Sequence, residues 1–167
     1  MITMPILKEI KQSRPFDSAA QEATVALLRT ADIVNRLIDS LIARHGITGQ
    51  QYNVLRILRG AGEKGLPTLE IAERMIEQTP GITRLIDRLE TKKLVSRERC
   101  ATDRRQVFCG ITPAGLALLA KLDEPVQSLS EEALRNLSKK DIAQLIELLD
   151  RTRESTNAVL MNMEVNT

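Results

Sequence analysis

Four apolar residues, Ile82, Leu85, Ile86 and Leu89, recur at i, i+3, i+4 and i+7, and the charged residues of the same stretch, Arg84, Asp87 and Arg88, fall on the other side. At 100° per residue this pattern commits one face of a helix to a core and leaves the opposite face to water or a partner. Thr79-Pro80 precedes it with a capping hydroxyl and then a proline at the first helical position, where a missing N–H is no loss. A helix from Pro80 to about Lys92 follows. The pattern then switches at once to two short extended runs, Leu94–Cys100 and Gln106–Ile111, around Ala101-Thr102-Asp103-Arg104-Arg105. Val107 and Phe108 favour strand, and the pair reads as a hairpin.

The flanking segments are helical. A pattern from near Asp17 to about Ala43 carries Leu27, Ala31, Val34, Ile38 and Leu41 on one stripe and ends at Gly46. Thr48 and Gln51 have capping-box spacing ahead of a helix that buries Val54, Leu55, Ile57 and Leu58. Gly60, Gly62 and Gly65 break the chain, and Leu66-Pro67 reads as a short extended link. Thr68 is expected to cap a short helix to about Met75. Thr112-Pro113 opens another, with Leu116, Leu119, Leu122 and Val126 inward and Pro125 kinking or ending it. Ser138 caps a last long helix, whose Ile142, Ile146, Leu149, Thr156, Leu160 and Met163 share a stripe. The expected fold class is mainly α with a small β-hairpin wing: a winged helix-turn-helix flanked by long terminal helices.

Charge is uneven. The whole chain of 167 residues carries +2, whereas the stretch from Thr79 to Gln106 holds eight basic and four acidic residues. A local basic patch on a near-neutral chain suits phosphates, although a salt-bridged surface gives the same count. Aromatics amount to only 2%, too few for the stacking platforms of a single-strand binder. One histidine, no Gly-rich phosphate loop and no paired carboxylates in an apolar setting argue against an enzyme. His45 sits at a helix end, where a cation suits the dipole, and no metal or cofactor is expected. Cys100 and Cys109 lie on adjacent runs and read as ordinary thiols, with a redox pair as the alternative. No apolar run approaches a bilayer span, so a soluble, cytoplasmic protein is expected.

On the outer face of the Ile82–Leu89 helix, Arg84 and Arg88 are placed to bind guanine with two hydrogen bonds in a major groove, and Thr83 to touch a base or a thymine methyl. Backbone N–H groups near Thr79 and Gly81 suit a phosphate. Arg104 and Arg105 at a ribbon tip suit a minor groove, with Asp103 available to orient one of them.

The ordered set Ile82-Thr83-Arg84-Leu85-Ile86-Asp87-Arg88-Leu89-Glu90, Leu94-Val95, Asp103-Arg104-Arg105 and Ile111-Thr112-Pro113-Ala114-Gly115 resembles the MarR (multiple antibiotic resistance regulator) family of winged-helix regulators, over about Thr48 to Leu119. The resemblance implies that Thr83, Arg84 and Arg88 face the major groove, that one of Arg104 and Arg105 reaches the minor groove, and that Asp103 holds the wing. It implies a homodimer on a pseudo-palindromic double-stranded DNA operator, joined by its terminal helices, as a transcriptional regulator and most simply a repressor. It also implies a small aromatic or anionic effector, for which Tyr52 and Arg56, one turn apart, are weak candidates; Tyr52 reads more simply as core. The organisation expected is an extension over 1–16, a dimerisation region over 17–45 and 120–167, and the winged helix-turn-helix over 46–119. One departure stands at Lys93, where the family often has Gly, which accepts left-handed backbone angles more readily. A winged-helix module that binds protein instead of DNA is the alternative.

Overall fold

The structure is a computed structural model and describes residues 5–78, 81–99 and 107–165. Its elements in chain order are α1 (Ile6–Glu9), α2 (Ala19–Ile42), α3 (Gly49–Ala61), β1 (Leu66–Pro67), α4 (Thr68–Glu73), α5 (Ile82–Thr91), β2 (Val95–Arg99), β3 (Val107–Ile111), α6 (Pro113–Ala133) and α7 (Lys139–Val165). They fall into two compact units, Met1–Val126 and Gln127–Thr167.

Local capping chemistry starts the helices where the sequence indicates. Ser18 accepts the Gln21 N–H at the start of α2. Thr48 and Gln51 form a reciprocal capping box, each backbone N–H bonded to the other's side chain at 3.2 Å. The Thr112 hydroxyl accepts the Gly115 N–H at 3.1 Å. Ser138 accepts the Asp141 N–H, and the Asp141 carboxylate returns the bond to the Ser138 N–H at 2.9 Å. The last pair holds the Asp141 carboxyl below its ordinary range, through the Ser138 hydroxyl and then its backbone N–H.

The core of the first unit gathers Ile42, Val54, Leu55, Leu58, Ile71, Ile86, Leu89, Leu119 and Leu122, all fully buried. α3 lies at its centre. The Arg59 guanidinium binds both carboxylate oxygens of Asp123 at 2.8 and 3.0 Å, tying α3 to α6.

Long-range pairing changes several expectations. The sheet has three antiparallel strands in the order β1-β3-β2, so Leu66-Pro67 is an edge strand paired with Cys109 and Phe108 rather than a link. Proline suits that edge, because it has no N–H to offer a further strand. Thr68 does not cap α4: the extended Pro67 takes the cap position, and the Thr68 hydroxyl lies 3.7 Å from the Cys109 sulfur. Gly60 lies inside α3, a local cost of about 1 kcal/mol that the buried Leu55 and Leu58 face outweighs. α6 continues through Pro125 to Ala133 instead of ending there. Its inward face is Gly115, Leu119 and Leu122, and Leu116 points out at 42% exposure. The 1–16 segment includes α1, whose Glu9 accepts the Arg29 Nε–H at 2.8 Å.

The second unit contains the end of α6 and α7. None of the 27 residues of α7 is buried. Ile146, Val159, Leu160, Met161 and Met163 are each more than half exposed. Along α2, Leu27 and Leu28 are exposed as well, and Val34, Ile38 and Leu41 are only half-buried.

The junction of α5 and β2 explains how Lys93 replaces a glycine. Lys93 has φ 60°, in the left-handed region. Its N–H reaches the Glu90 carbonyl at 2.8 Å and the Leu94 N–H reaches the Leu89 carbonyl at 3.0 Å. These are the two bonds of a Schellman helix ending. The Thr112 hydroxyl donates to the Lys93 carbonyl at 2.7 Å, and the Thr112 N–H donates to that of Leu94 at 3.1 Å. Gly115 completes the joint: a Cβ there would collide with the Leu94 carbonyl oxygen and the Ile111 side chain.

Two substitutions at this joint have opposite signs. Lys93→Gly relieves the left-handed strain and raises stability by about 0.5–1 kcal/mol. Gly115→Ala overpacks the joint and lowers stability by about 1–3 kcal/mol. Urea denaturation of both variants measures each.

Candidate nucleic-acid interface

α5 is held by its inner face. Leu85 is 8% exposed, Ile86 and Leu89 are fully buried, and Ile82 packs against the same cluster. Thr83, Arg84, Asp87 and Arg88 are all exposed on the outer side. Neither the Arg84 nor the Arg88 guanidinium is in an ion pair among the described residues. Gly81 precedes the helix with φ 99°, which only glycine adopts freely, and its carbonyl accepts the Arg84 N–H at 2.9 Å. The described helix therefore starts at Ile82, while Thr79 and Pro80 lie outside the described residues.

The turn before α5 is fastened from α3. Asn53 accepts the Ile76 N–H at 2.9 Å, and Glu77 accepts from Asn35 on α2 and Gln50 on α3. α4, this turn and α5 form the helix-turn-helix, and β2 and β3 pair directly after it from Val95–Ile111 to Arg99–Val107. Asp103, Arg104 and Arg105 belong to the connection between these strands and lie outside the described residues, as does Cys100. Cys109 is fully buried.

A residue that the sequence reading counted only as basic charge proves to be a brace. Arg97, on β2, donates to Asp87 at 2.5 Å, to Glu90 at 3.1 Å and to the Thr83 carbonyl at 3.2 Å. All three acceptors belong to α5, so Arg97 locks the wing strand to the helix along about two turns. Burial of this guanidinium works against its charge; the Asp87 hydrogen bond and charge, with Glu90 behind them, outweigh that and hold it above the ordinary arginine range. The signal in the sequence was slight: a basic residue at an outward strand position ten residues beyond an outward Asp.

Tyr52 is 7% exposed and belongs to the core. The Arg56 guanidinium lies 5.9 Å from its ring centroid, a cation–π contact at the surface of α3. His45 is exposed in the short 3-10 turn after α2. Among the described residues no helix is long and apolar enough to cross a membrane.

A helix-turn-helix with an outward cationic helix and an adjoining ribbon is the geometry of a winged helix, and known proteins share it here. The MarR family model matches residues 45–106. The transcriptional regulator MhqR of Bacillus subtilis is 32% identical over 116 residues, 65% of this chain and 79% of that protein. The chain belongs to the MarR family. A crystal structure of a MarR transcription factor from Planctomyces limnophilus is 41% identical, with a TM-score of 0.63 over 81% of this chain and 98% of that one. A mutant Escherichia coli MarR complexed with operator DNA is 26% identical, with a TM-score of 0.69 over 76% of this chain and 90% of that one. MarR-family proteins are DNA-binding transcriptional regulators and not enzymes, and this chain has their winged-helix fold.

The brace in this MarR-family chain is measurable by a double-mutant cycle. Arg97→Ala and Asp87→Ala, alone and together, are expected to show a coupling of about 1 kcal/mol in urea denaturation. Additive effects would show that the pair does not hold the strand to the helix.

Proposed function

We propose that this chain is a sequence-specific regulator that acts as a homodimer on a pseudo-palindromic operator, with Arg84 and Arg88 of α5 reading bases in the major groove. The observation that carries this reading is their exposure, free of ion pairs among the described residues, on a helix whose opposite face is fully buried. Thr83 flanks them and supplies a hydroxyl and a methyl to the same groove. Thr79 and Gly81, at the start of the helix, are assigned to a phosphate, and Asp103, Arg104 and Arg105 to the wing, with one arginine entering the minor groove.

The dimer follows from apolar surface that its own chain leaves open. The exposed Leu27 and Leu28 of α2 and the exposed Ile146, Leu160 and Met163 of α7 need cover, and a second copy supplies it. The assignment is dimerisation by 17–45 and 120–167, DNA binding by 46–119, and an extension over 1–16. Two α5 helices about 34 Å apart then match successive major grooves. A dimer seated on both half-sites blocks polymerase, so repression is the proposed outcome, with release by a small aromatic or anionic effector. The chain is assigned to the cytoplasm, where its operator is.

Arg84→Ala and Arg88→Ala are each expected to weaken operator binding by about 1–3 kcal/mol, with fold and dimer intact. Fluorescence anisotropy on a duplex selected from a random library measures this, and unchanged affinity in both variants removes them from the reading role. Arg104→Ala with Arg105→Ala is expected to lower affinity and to flatten its salt dependence, because fewer counterions are released. An identical slope in wild type and variant counts against a wing on the DNA.

A further inference from the structure

The turn that leads into α5 rests on three carboxamide side chains from two other helices. Met75, 8% exposed, plants the start of the turn in the core. The Ile76 N–H then donates to the Asn53 Oδ1 of α3 at 2.9 Å. The Glu77 carboxylate accepts the Asn35 Nδ2–H of α2 at 2.9 Å on one oxygen and the Gln50 Nε2–H of α3 at 3.4 Å on the other. Gln50 and Asn53 stand at i and i+3 on one side of α3. Asn35 reaches the same place because α2 and α3 come close here. Asp39, one turn further along α2, lies against Gly49, where a Cβ would collide with its carboxylate.

These bonds explain an acidic residue in an awkward place. A carboxylate in the turn before a DNA-reading helix repels phosphates and attracts none. Glu77 is exposed and adds nothing to the core. What it does is take charge-assisted hydrogen bonds from two helices at once, one on each oxygen. The start of α5 needs such a hold. Gly81 enters the helix with φ 99°, and glycine has the widest backbone freedom of any residue. Burial of Leu85, Ile86 and Leu89 fixes the rotation of α5, whereas a small tilt of its first turn leaves those side chains covered. A hydrogen bond from Arg84 to a base does not tolerate that tilt, since it weakens steeply with distance and angle.

We infer that Glu77 is a positioning residue for operator binding: its carboxylate ties the turn before α5 to α2 and α3, and so holds the first turn of the reading helix where Arg84 meets the bases. The inference rests on the reading of α5 as the helix that contacts bases. Asn35 and Gln50 act through Glu77, and Asn35 thereby links a helix assigned to dimerisation to the entry of the reading helix. Charge and positioning make opposite demands on this residue. Loss of a carboxylate near DNA strengthens phosphate binding on any duplex, whereas loss of positioning weakens binding only where bases are read.

The test uses the full-length protein on the selected operator duplex and on a random duplex of equal length. Glu77→Ala weakens operator binding by about tenfold, the scale of a lost hydrogen bond to a charged group, and leaves binding to the random duplex unchanged or stronger. Glu77→Gln removes the same charge but keeps a carbonyl oxygen for Asn35, and holds operator affinity within about threefold of wild type. Asn35→Ala weakens operator binding as well, and combining it with Glu77→Ala costs no more than Glu77→Ala alone, because both remove the same bond. Circular dichroism and urea denaturation confirm that every variant is folded at the assay temperature. Wild-type operator affinity in Glu77→Ala, an equal loss in Glu77→Gln, an equal loss on the random duplex, or additive effects of the two alanine substitutions overturns the positioning role. Arg84→Ala, measured alongside, keeps the two readings apart. If Arg84→Ala loses operator affinity and Glu77→Ala does not, base reading by α5 stands and the role of Glu77 falls. If Arg84→Ala is silent, base reading by Arg84 falls and takes this inference with it.

Discussion

Burial of Leu85, Ile86 and Leu89 fixes the rotation of α5, and everything outward on that helix follows from it. Each such side chain contributes about 1.5–3 kcal/mol when taken out of water. Turning the helix by one residue would expose part of that surface and push a guanidinium toward an apolar core, which costs far more than any surface ion pair returns. The direction of Arg84 and Arg88 is therefore set by residues that never touch a ligand. Val54, Leu55 and Leu58 of α3 belong to the same core, and the capping box at Thr48 sets where α3 begins to present them.

The basic stretch from Thr79 to Gln106 divides into cations that build the site and cations left for a partner. Arg97 is bound to Asp87, Glu90 and the Thr83 carbonyl, and Lys92 to the Gly46 carbonyl. Their charges fix geometry: Arg97 sets the wing strand on α5, and Lys92 sets the α2–α3 turn on the end of the same helix. Arg84 and Arg88 remain outside these contacts. The count of basic residues along the sequence overstates what is offered to phosphates, since Arg97 is engaged by Asp87 and Glu90 and Lys92 by the Gly46 carbonyl.

What was legible in the sequence was local. Caps at Thr48, Thr112 and Ser138 depend on residues three apart, and the Ile82–Leu89 face on one helical period, so both could be read without a fold. The failures are contacts between distant segments. Leu66-Pro67 becomes a strand only because Cys109 and Phe108 pass beside it, and Thr68 loses its capping role because Pro67 is held extended in that sheet. On α6, Leu116 was expected inward beside Leu119 and Leu122, whereas the structure turns Gly115 inward with them. The close approach of Leu94 and Ile111 to Gly115 sets this, and a glycine carries no hydrophobic signal to announce it. Arg97 was invisible as a brace for the same reason: its partners lie on another element.

Lys93 shows how a conformation can persist against local preference. A left-handed lysine is disfavoured by about 1–2 kcal/mol. Four hydrogen bonds converge on residues 93 and 94, two that end α5 and two from Thr112, and all of them use backbone groups of the pair. They are indifferent to whether residue 93 carries a side chain, so glycine is the easier occupant but not a required one. The turn also decides the direction in which β2 leaves α5, and so the position of the hairpin relative to the outward arginines. Ribbon and helix can address one duplex only if this angle is constant, and strain distributed over several satisfied backbone bonds keeps it constant more reliably than a flexible glycine alone would.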